Sequence, residues 1–217
     1  MNVEQARFNM IEQQIRPWEV LDQGVLQLLA VVKREDFVPA AYKALAFVDT
    51  EVPLPQGQSM LAPKVEARLL QELDVHKHER VFEIGTGSGY MAALLGHKAQ
   101  QVITMEIIGE LADFARANLQ RDGAGNVSVR HGDGSHGLAS EGPFDVILLS
   151  GSVAEVPAQL LSQLKVGGRL AAIVGQQPIM RATLFTRRGE HDFASVELFD
   201  TVAPRLTGFD EPPRFKF

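Results

Sequence analysis

No cysteine occurs among the 217 residues, which excludes disulfides, thiolate catalysis and Cys-based metal sites and fits a cytoplasmic protein. Basic excess is missing too. A formal net charge of −6 and a pI near 5.5 give no general attraction to phosphate backbones, so no nucleic-acid partner is expected. No apolar run approaches the roughly 18 residues of a membrane span, and the start MNVEQARFNMIEQQIR carries acids and amides where a signal peptide needs an apolar core. The six His residues form no H-x-x-x-H pair and no carboxylate cluster, so no metal is expected. Internal repeats, low-complexity tracts and interdomain linkers are absent. The length suits one domain with a substantial core.

What is present begins with Glu83-Ile84-Gly85-Thr86-Gly87-Ser88-Gly89-Tyr90. The segment follows the apolar pair Val81-Phe82 and leads into a helical stretch from Met91 to Leu95. A glycine-rich turn between strand and helix lets backbone N–H groups approach a cofactor, because no Cβ intervenes. The spacing is G-x-G-x-G, with a carboxylate two residues before the first glycine, and differs from the dinucleotide pattern G-x-G-x-x-G. A pyrophosphate wants an open helix N-terminus without a nearby anion. An acid here suits a cofactor with a positive end, such as S-adenosyl-L-methionine.

Around this turn the pattern alternates. Strands at 81–84, 101–106, 127–131, 144–149 and 169–174 are separated by helices at 90–97, 109–121 and 157–164. Alternation with short connections predicts a parallel, doubly wound α/β sheet. Residues 183–187 and 195–200 predict a C-terminal antiparallel hairpin. Before the sheet come helices at 4–16, with Phe8, Ile11 and Ile15 on one face, and from Asp22 as N-cap, then a short helix at 40–46. A loop at 50–63 and a helix at 64–73 follow. Trp18 is expected to be a packing anchor.

Two further strand ends complete the constellation. Glu106 closes the second strand, where an acid can accept from ribose hydroxyls. His131-Gly132-Asp133-Gly134 closes the third, where glycines flank an acid suited to an adenine amino group. His136 fits a surface loop better than a substrate contact. Hydride transfer is the rival chemistry for such a fold. Neither Tyr42 nor Tyr90 has a Lys four residues later, and the glycine spacing is wrong for a pyrophosphate loop.

The chain resembles the protein-L-isoaspartate O-methyltransferase family. Val32-Lys33-Arg34-Glu35-Asp36-Phe37-Val38-Pro39 is similar to its V-x-R-x-x-F-V-P segment. Leu54-Pro55-Gln56-Gly57-Gln58-Ser59 is similar to its L-P-x-G-x-G-Q-T loop, shortened here. Glu83 to Tyr90 matches its cofactor turn, and Asn126-Val127 with His131-Gly132-Asp133-Gly134 matches its N-V…G-D-G step. Pro143-Phe144-Asp145, Pro157, Gln163-Leu164 and Gly167-Gly168 continue the match. No single piece is specific; their order and spacing are.

The resemblance implies a Rossmann-like class I methyltransferase that methylates the misplaced carboxylate of isoaspartyl residues in damaged proteins. It implies one domain over 1–217: a helical and substrate-loop extension (1–63), a cofactor core (64–180), and a hairpin and arm (181–217). S-adenosyl-L-methionine would be held by Glu83, Gly85, Thr86, Gly87, Ser88, Gly89, Tyr90, Glu106, Ile107, Gly132, Asp133 and Gly134. The chain departs from the family in two places. The family's G-Q-T-I-S-x-P loop reads Gly57-Gln58-Ser59-Met60-Leu61-Ala62-Pro63, which puts Leu61 at the active-site serine. Its T-A-A-P segment reads Ser150-Gly151-Ser152-Val153. Ser59 is therefore the expected catalytic hydroxyl, on the face of Leu61 if the loop is extended, with Gln58, Ser59, Ser150 and Ser152 toward substrate. The alternatives are a paralogue acting on another carboxylate or small molecule, and a cofactor-binding relic without turnover. The terminal segment Pro204–Phe217, with Arg205, Pro212, Pro213 and Arg214, resembles the family's arm only at Val202 to Leu206.

Overall fold

A computed structural model describes residues 2–211; Pro212, Pro213, Arg214 and Phe217 of the terminal segment lie outside the described residues. Helix α1 (Val3–Met10) starts on Asn2, whose side chain accepts from Gln5 N at 3.2 Å. It widens into a π-helical turn at Ile11–Ile15, then tightens to a 3-10 turn at Arg16–Trp18. Ile11 and Ile15 are buried as expected, but Phe8 is 58 % exposed. Arg7 takes the inward place instead, its guanidinium paired with Glu35. Helix α2 (Gln23–Val31) is capped by Asp22, which accepts from Val25 N at 2.7 Å. Residues Ala40–Leu45 form a 3-10 helix.

The 50–63 segment is more regular than a loop. Strands β1 (Val52–Pro53) and β2 (Ser59–Met60) pair antiparallel and close it into a ribbon. Helix α3 (Pro63–Leu73) follows with proline in its first turn, where no N–H is missed. It buries Val65, Leu69, Leu70 and Leu73.

The main sheet runs through β3 (Arg80–Ile84), β4 (Gln101–Glu106), β5 (Val127–His131), β6 (Phe144–Val153), β7 (Leu164–Gln176), β8 (Ile179–Arg187) and β9 (Phe193–Thr201). Helices α4 (Tyr90–Lys98), α5 (Gly109–Asp122) and α6 (Ala158–Ser162) connect it. The strand order is β5-β4-β3-β6-β7-β8-β9. β5 to β7 lie parallel, and β8 and β9 continue antiparallel at the edge. Helix α6 is shorter than expected because β7 already begins at Leu164, paired with Phe144.

Side chains alternate between the two faces, as a pleated strand requires. Val81, Val102, Val146 and Leu148 join the cluster under α1 to α5. Phe82, Ile84, Ile103, Ile147 and Leu149 meet Leu160 and Leu164 on the opposite face. Both faces are thus sealed, which explains the near-continuous apolar runs of these strands. Among the described residues no helix is long and apolar enough to cross a membrane. The chain leaves β3 toward β4 on one side and returns to β6 on the other. A crevice opens above the strand ends at such a reversal, where open α/β sheets bind ligands.

Candidate functional site

A narrow cleft lies at that reversal. Ile84, Gly85 and Gly87 supply one wall; Met105, Glu106 and Ile107 supply another; Gly132, Gly134 and Ser150 come from the ends of β5 and β6. Leu54, Gln58 and Ser59 of the ribbon roof it, and Leu206 and Thr207 close the remaining side. A second, smaller hollow continues past the glycine turn, sharing Ser59, Gly85, Gly87 and Ser150 with the first.

Backbone geometry explains the glycines. Gly85 has φ of 91°, and a Cβ there would stand 2.7 Å from Leu206 Cδ2. Gly89, at φ of 85°, faces elsewhere: its Cβ would stand 3.2 Å from Leu119 Cγ and 3.3 Å from Ala115 Cβ. Gly89 is therefore packed closely against α5.

Three acids crowd the strand ends. Glu106 lines the cleft; its Oε2 accepts from Gly87 N at 2.8 Å and its Oε1 from Ile108 N at 3.1 Å. Each oxygen keeps a second lone-pair direction for a ligand hydroxyl. Glu83 behaves differently. It is fully buried, with Oε1 accepting from Ser150 Oγ at 2.6 Å and Oε2 from Thr104 Oγ1 at 2.7 Å. Burial pushes its carboxyl up to about 7, and the two hydroxyls only partly oppose this. It is not among the residues lining the cleft, but its partner Ser150 is. Thr86 Oγ1 lies 2.6 Å from Thr104 Oγ1 and extends the same network.

The third acid was not singled out from sequence. Glu66 of α3 lines the inner hollow with Ser59, Leu61, Thr86 and Ser88. Its Oε2 accepts from Arg34 Nε at 3.1 Å. Arg34 is wholly buried and also donates to the carbonyls of Ala46 (3.1 Å) and Leu61 (2.8 Å). Burial, outweighing Arg34, raises Glu66 to about 7. The available signal was positional: Glu66 stands three, four and seven residues before Leu69, Leu70 and Leu73, on the apolar stripe of its helix.

Ile107, Gly132 and Gly134 line the cleft, as do Gln58, Ser59 and Ser150. Ser59 Oγ donates to Glu51 Oε2 at 3.2 Å, and Leu61 sits beside it in the inner hollow. Asp133 is exposed. It accepts from Ser135 N at 2.8 Å, and a Cβ on Gly208 would stand 2.7 Å from its Oδ1. Its side chain thus caps its own turn against the tail. The Tyr90 side chain is buried, edge-on to Phe37 with centroids 5.4 Å apart, and is not among the residues lining the cleft. Ser152 is a correction. Its Oγ donates to the carbonyls of Ala203 (2.9 Å) and Pro204 (3.1 Å), so it ties the C-terminal segment to β6.

That segment supplies the other residue missed from sequence. Backbone bonds from Ser152 N to Pro204 O (2.7 Å) and from Leu206 N to Ser152 O (2.9 Å) lay it alongside β6. Leu206 is thereby pressed against Gly85 and Gly151. Trp18 is an anchor, edge-on to Phe199 at 5.8 Å with Lys64 Nζ 4.2 Å from its ring centroid.

Known proteins resemble this chain in sequence and in fold. The family model for protein-L-isoaspartate(D-aspartate) O-methyltransferase (PCMT) matches residues 5–202. A protein-L-isoaspartate O-methyltransferase of Koribacter versatilis is 43% identical over 182 residues, covering 84% of this chain and 82% of that protein. A second, from Rhodopseudomonas palustris, is 40% identical over 203 residues, covering 93% and 83%. In fold, the chain is similar to the crystal structure of a beta-aspartate methyltransferase (PCMT) from Plasmodium falciparum in complex with S-adenosyl-L-homocysteine. The TM-score is 0.77 at 22% identity, covering 93% of this chain and 98% of that one. The fold is that of the class I methyltransferases, and the chain belongs to the protein-L-isoaspartate(D-aspartate) O-methyltransferase family.

Proposed function

We propose that this chain, acting as one domain in the cytoplasm, is an S-adenosyl-L-methionine-dependent methyltransferase of isoaspartyl carboxylates in damaged proteins. The observation that carries this reading is the cleft at the strand reversal, with Glu106 at one end and the Gln58–Ser59 ribbon above the other. The residues present suit the cofactor. Glu106 offers free lone pairs to ribose hydroxyls, Ile107 and Met105 offer apolar surface to a purine, and Gly85 and Gly87 leave backbone bare for the amino-acid end. When bound, the cofactor supplies a methyl group already activated on a sulfonium.

The protein's part is mostly placement. An acceptor carboxylate, with a reference pKa of about 4, is ionised at neutral pH and needs no base. Holding it in line and excluding water then provide most of the acceleration. Leu54, Met60, Leu61 and Leu206 form the apolar surround. Gln58, Ser59 and Ser150 are the donors near the acceptor, and Ser59 exchanges Glu51 for the acceptor's non-attacking oxygen.

A second reading is favoured by one observation: Leu61, apolar, stands where the family has a serine, inside the hollow. It assigns the chain to a different carboxylate or small acceptor. Labelled-methyl transfer to matched isoaspartyl and aspartyl peptides decides between them. Transfer confined to the isoaspartyl peptide supports repair; cofactor binding with no transfer to either supports the second reading.

A further inference from the structure

Gln163 stands between α6 and β7, outside the cleft, and is 7 % exposed. Both ends of its amide are engaged. Nε2 donates to the carbonyls of His136 at 2.9 Å and Gln159 at 3.3 Å, and Oε1 accepts from Leu138 N at 2.7 Å. The backbone carbonyl of the same residue accepts from Phe144 N at 2.8 Å, which fixes it to the start of β6. His136 and Leu138 belong to the loop that leaves β5 through Gly132, Asp133 and Gly134. Between them Gly137 has φ of 77°, and a Cβ there would stand 2.3 Å from Nε2 and from Oε1 of Gln163. The amide therefore lies flush against the loop backbone, where no side chain can intervene.

The far side of the loop meets the strand ends. A Cβ on Gly134 would stand 3.0 Å from Ile84 Cγ2 and 3.4 Å from Met105 Cβ, and Gly137 N donates to Gly134 O at 2.8 Å. That bond carries the position of the clamped residues to Gly134. Gly132 and Gly134 line the cleft beside Met105 and Ile107, the apolar surface suited to a purine. We propose that Gln163 is a positioning residue for the purine end of the cofactor, its amide clamping the loop at His136 and Leu138 and so setting the wall made by Gly132 and Gly134. The proposal rests on the cofactor reading above.

The chemistry of the clamp is that of an amide. One planar group must donate to a carbonyl and accept from an N–H two residues further on. Methionine fills a similar volume and does neither. A glutamate depends on its proton: ionised, it sets an anion against the carbonyls of His136 and Gln159; protonated, its O–H donates as the amide does. Burial against those carbonyls favours the protonated form and holds such a carboxyl above the usual range. Arg187 of β8 donates to the carbonyls of Ser162 and Leu164 on either side of Gln163. His136 on the loop is exposed, and Lys165 pairs with Asp145 two residues on. These groups are common to every variant, so each affinity is compared with that of the unaltered chain at the same pH.

The test is calorimetric titration with S-adenosyl-L-homocysteine and with 5′-methylthioadenosine, which keeps the purine and lacks the amino-acid end. Gln163→Met should weaken both ligands by the same factor, about tenfold or more. In methyl transfer to an isoaspartyl peptide, KM for S-adenosyl-L-methionine should rise, while kcat and the peptide KM stay within about twofold, since only uniform binding is lost. Gln163→Glu should match the methionine variant at pH 8 and recover to within about threefold of the unaltered chain at pH 5.5. A merely structural residue would lower the urea midpoint without this split and without the recovery in acid. Unchanged affinity in Gln163→Met, a loss confined to S-adenosyl-L-homocysteine, a fall in kcat at unchanged KM, or no recovery at pH 5.5 would each overturn the assignment. If Gln163→Met fails to fold, Gly137→Ala, which drives a Cβ into the amide, should produce the same equal loss for both ligands, and its absence counts against the clamp. Failure of the unaltered chain to bind either ligand would remove the cofactor reading, and the proposal with it.

Discussion

Glu66, Glu83 and Glu106 stand close together above the sheet, yet each is stabilised by a different partner: a guanidinium, two hydroxyls, and two backbone N–H groups. The existence of an acid at 83 and at 106 was legible in the sequence, because each sits at a fixed offset from a glycine turn or a strand end. Which atoms each acid meets was not legible, because Ser150 and Thr104 reach Glu83 from strands far along the chain. The same holds for Tyr90 and Ser152. Both stand beside recognisable motifs, but their side chains are claimed by Phe37 and by the carbonyls of 203 and 204. Gly85 is the position where sequence and contact agree most closely. Gly85→Ala adds strain at φ of 91° and a Cβ 2.7 Å from Leu206. Such strain and overpacking cost about 1–3 kcal/mol each. We expect a lower urea midpoint together with at least tenfold weaker S-adenosyl-L-homocysteine binding; an unchanged titration would contradict the placement of the cleft.

Periodicity told the elements apart wherever hydrophobic burial set them. Strands β3, β4 and β5 and helices α2, α3, α4 and α5 emerge close to their expected ranges because one apolar face, or two, is enough to define them, whereas β6 and β7 run four and seven residues longer than expected. It failed where another force decided. The ribbon of β1 and β2 rests on backbone pairing between Val52 and Met60, which leaves no alternation in two-residue strands. The C-terminal segment likewise has no pattern of its own and gains its place from Ser152 and Gly151. Its contribution to the cleft can be measured. A chain ending at Val202 loses the bonds to Ser152 and the wall formed by Leu206 and Thr207. It should bind S-adenosyl-L-homocysteine at least tenfold more weakly and melt several degrees lower, as loss of about 1–2 kcal/mol in a domain of this length implies. Unaltered affinity would show that the segment only covers the sheet.

The whole chain carries an uncommon balance of titrating groups. Burial raises both Glu66 and Glu83 to about 7. Between about pH 4.5 and 7 the unfolded chain has released these protons and the folded chain retains them, so folding stability falls as pH rises through that window. Asp145 and Glu79 work in the opposite sense. Desolvation would raise them, but the Arg80 N–H and Lys165, and Arg169 with the His76 N–H, hold them low. Their stabilisation is present above about pH 4.5 and is lost in more acid solution. The stability maximum should therefore lie near pH 5. Urea midpoints measured from pH 4 to 8 should peak there and decline toward pH 7.5 by a few kcal/mol in free energy. Glu66→Gln should remove part of the decline. A midpoint that climbs steadily to pH 7.5 would contradict the burial of these two carboxyls.

Arg34 reaches three separate stretches of chain, at residues 46, 61 and 66, and this limits how the protein can vary over generations. Loss of Glu66 strands Arg34 as an uncompensated buried charge, at about 3–5 kcal/mol, and loss of Arg34 removes the one group that opposes the desolvation of Glu66. A natural domain has only about 5–15 kcal/mol in hand. A lineage can therefore leave this arrangement readily only by exchanging both residues together, so the two should be inherited as a couple.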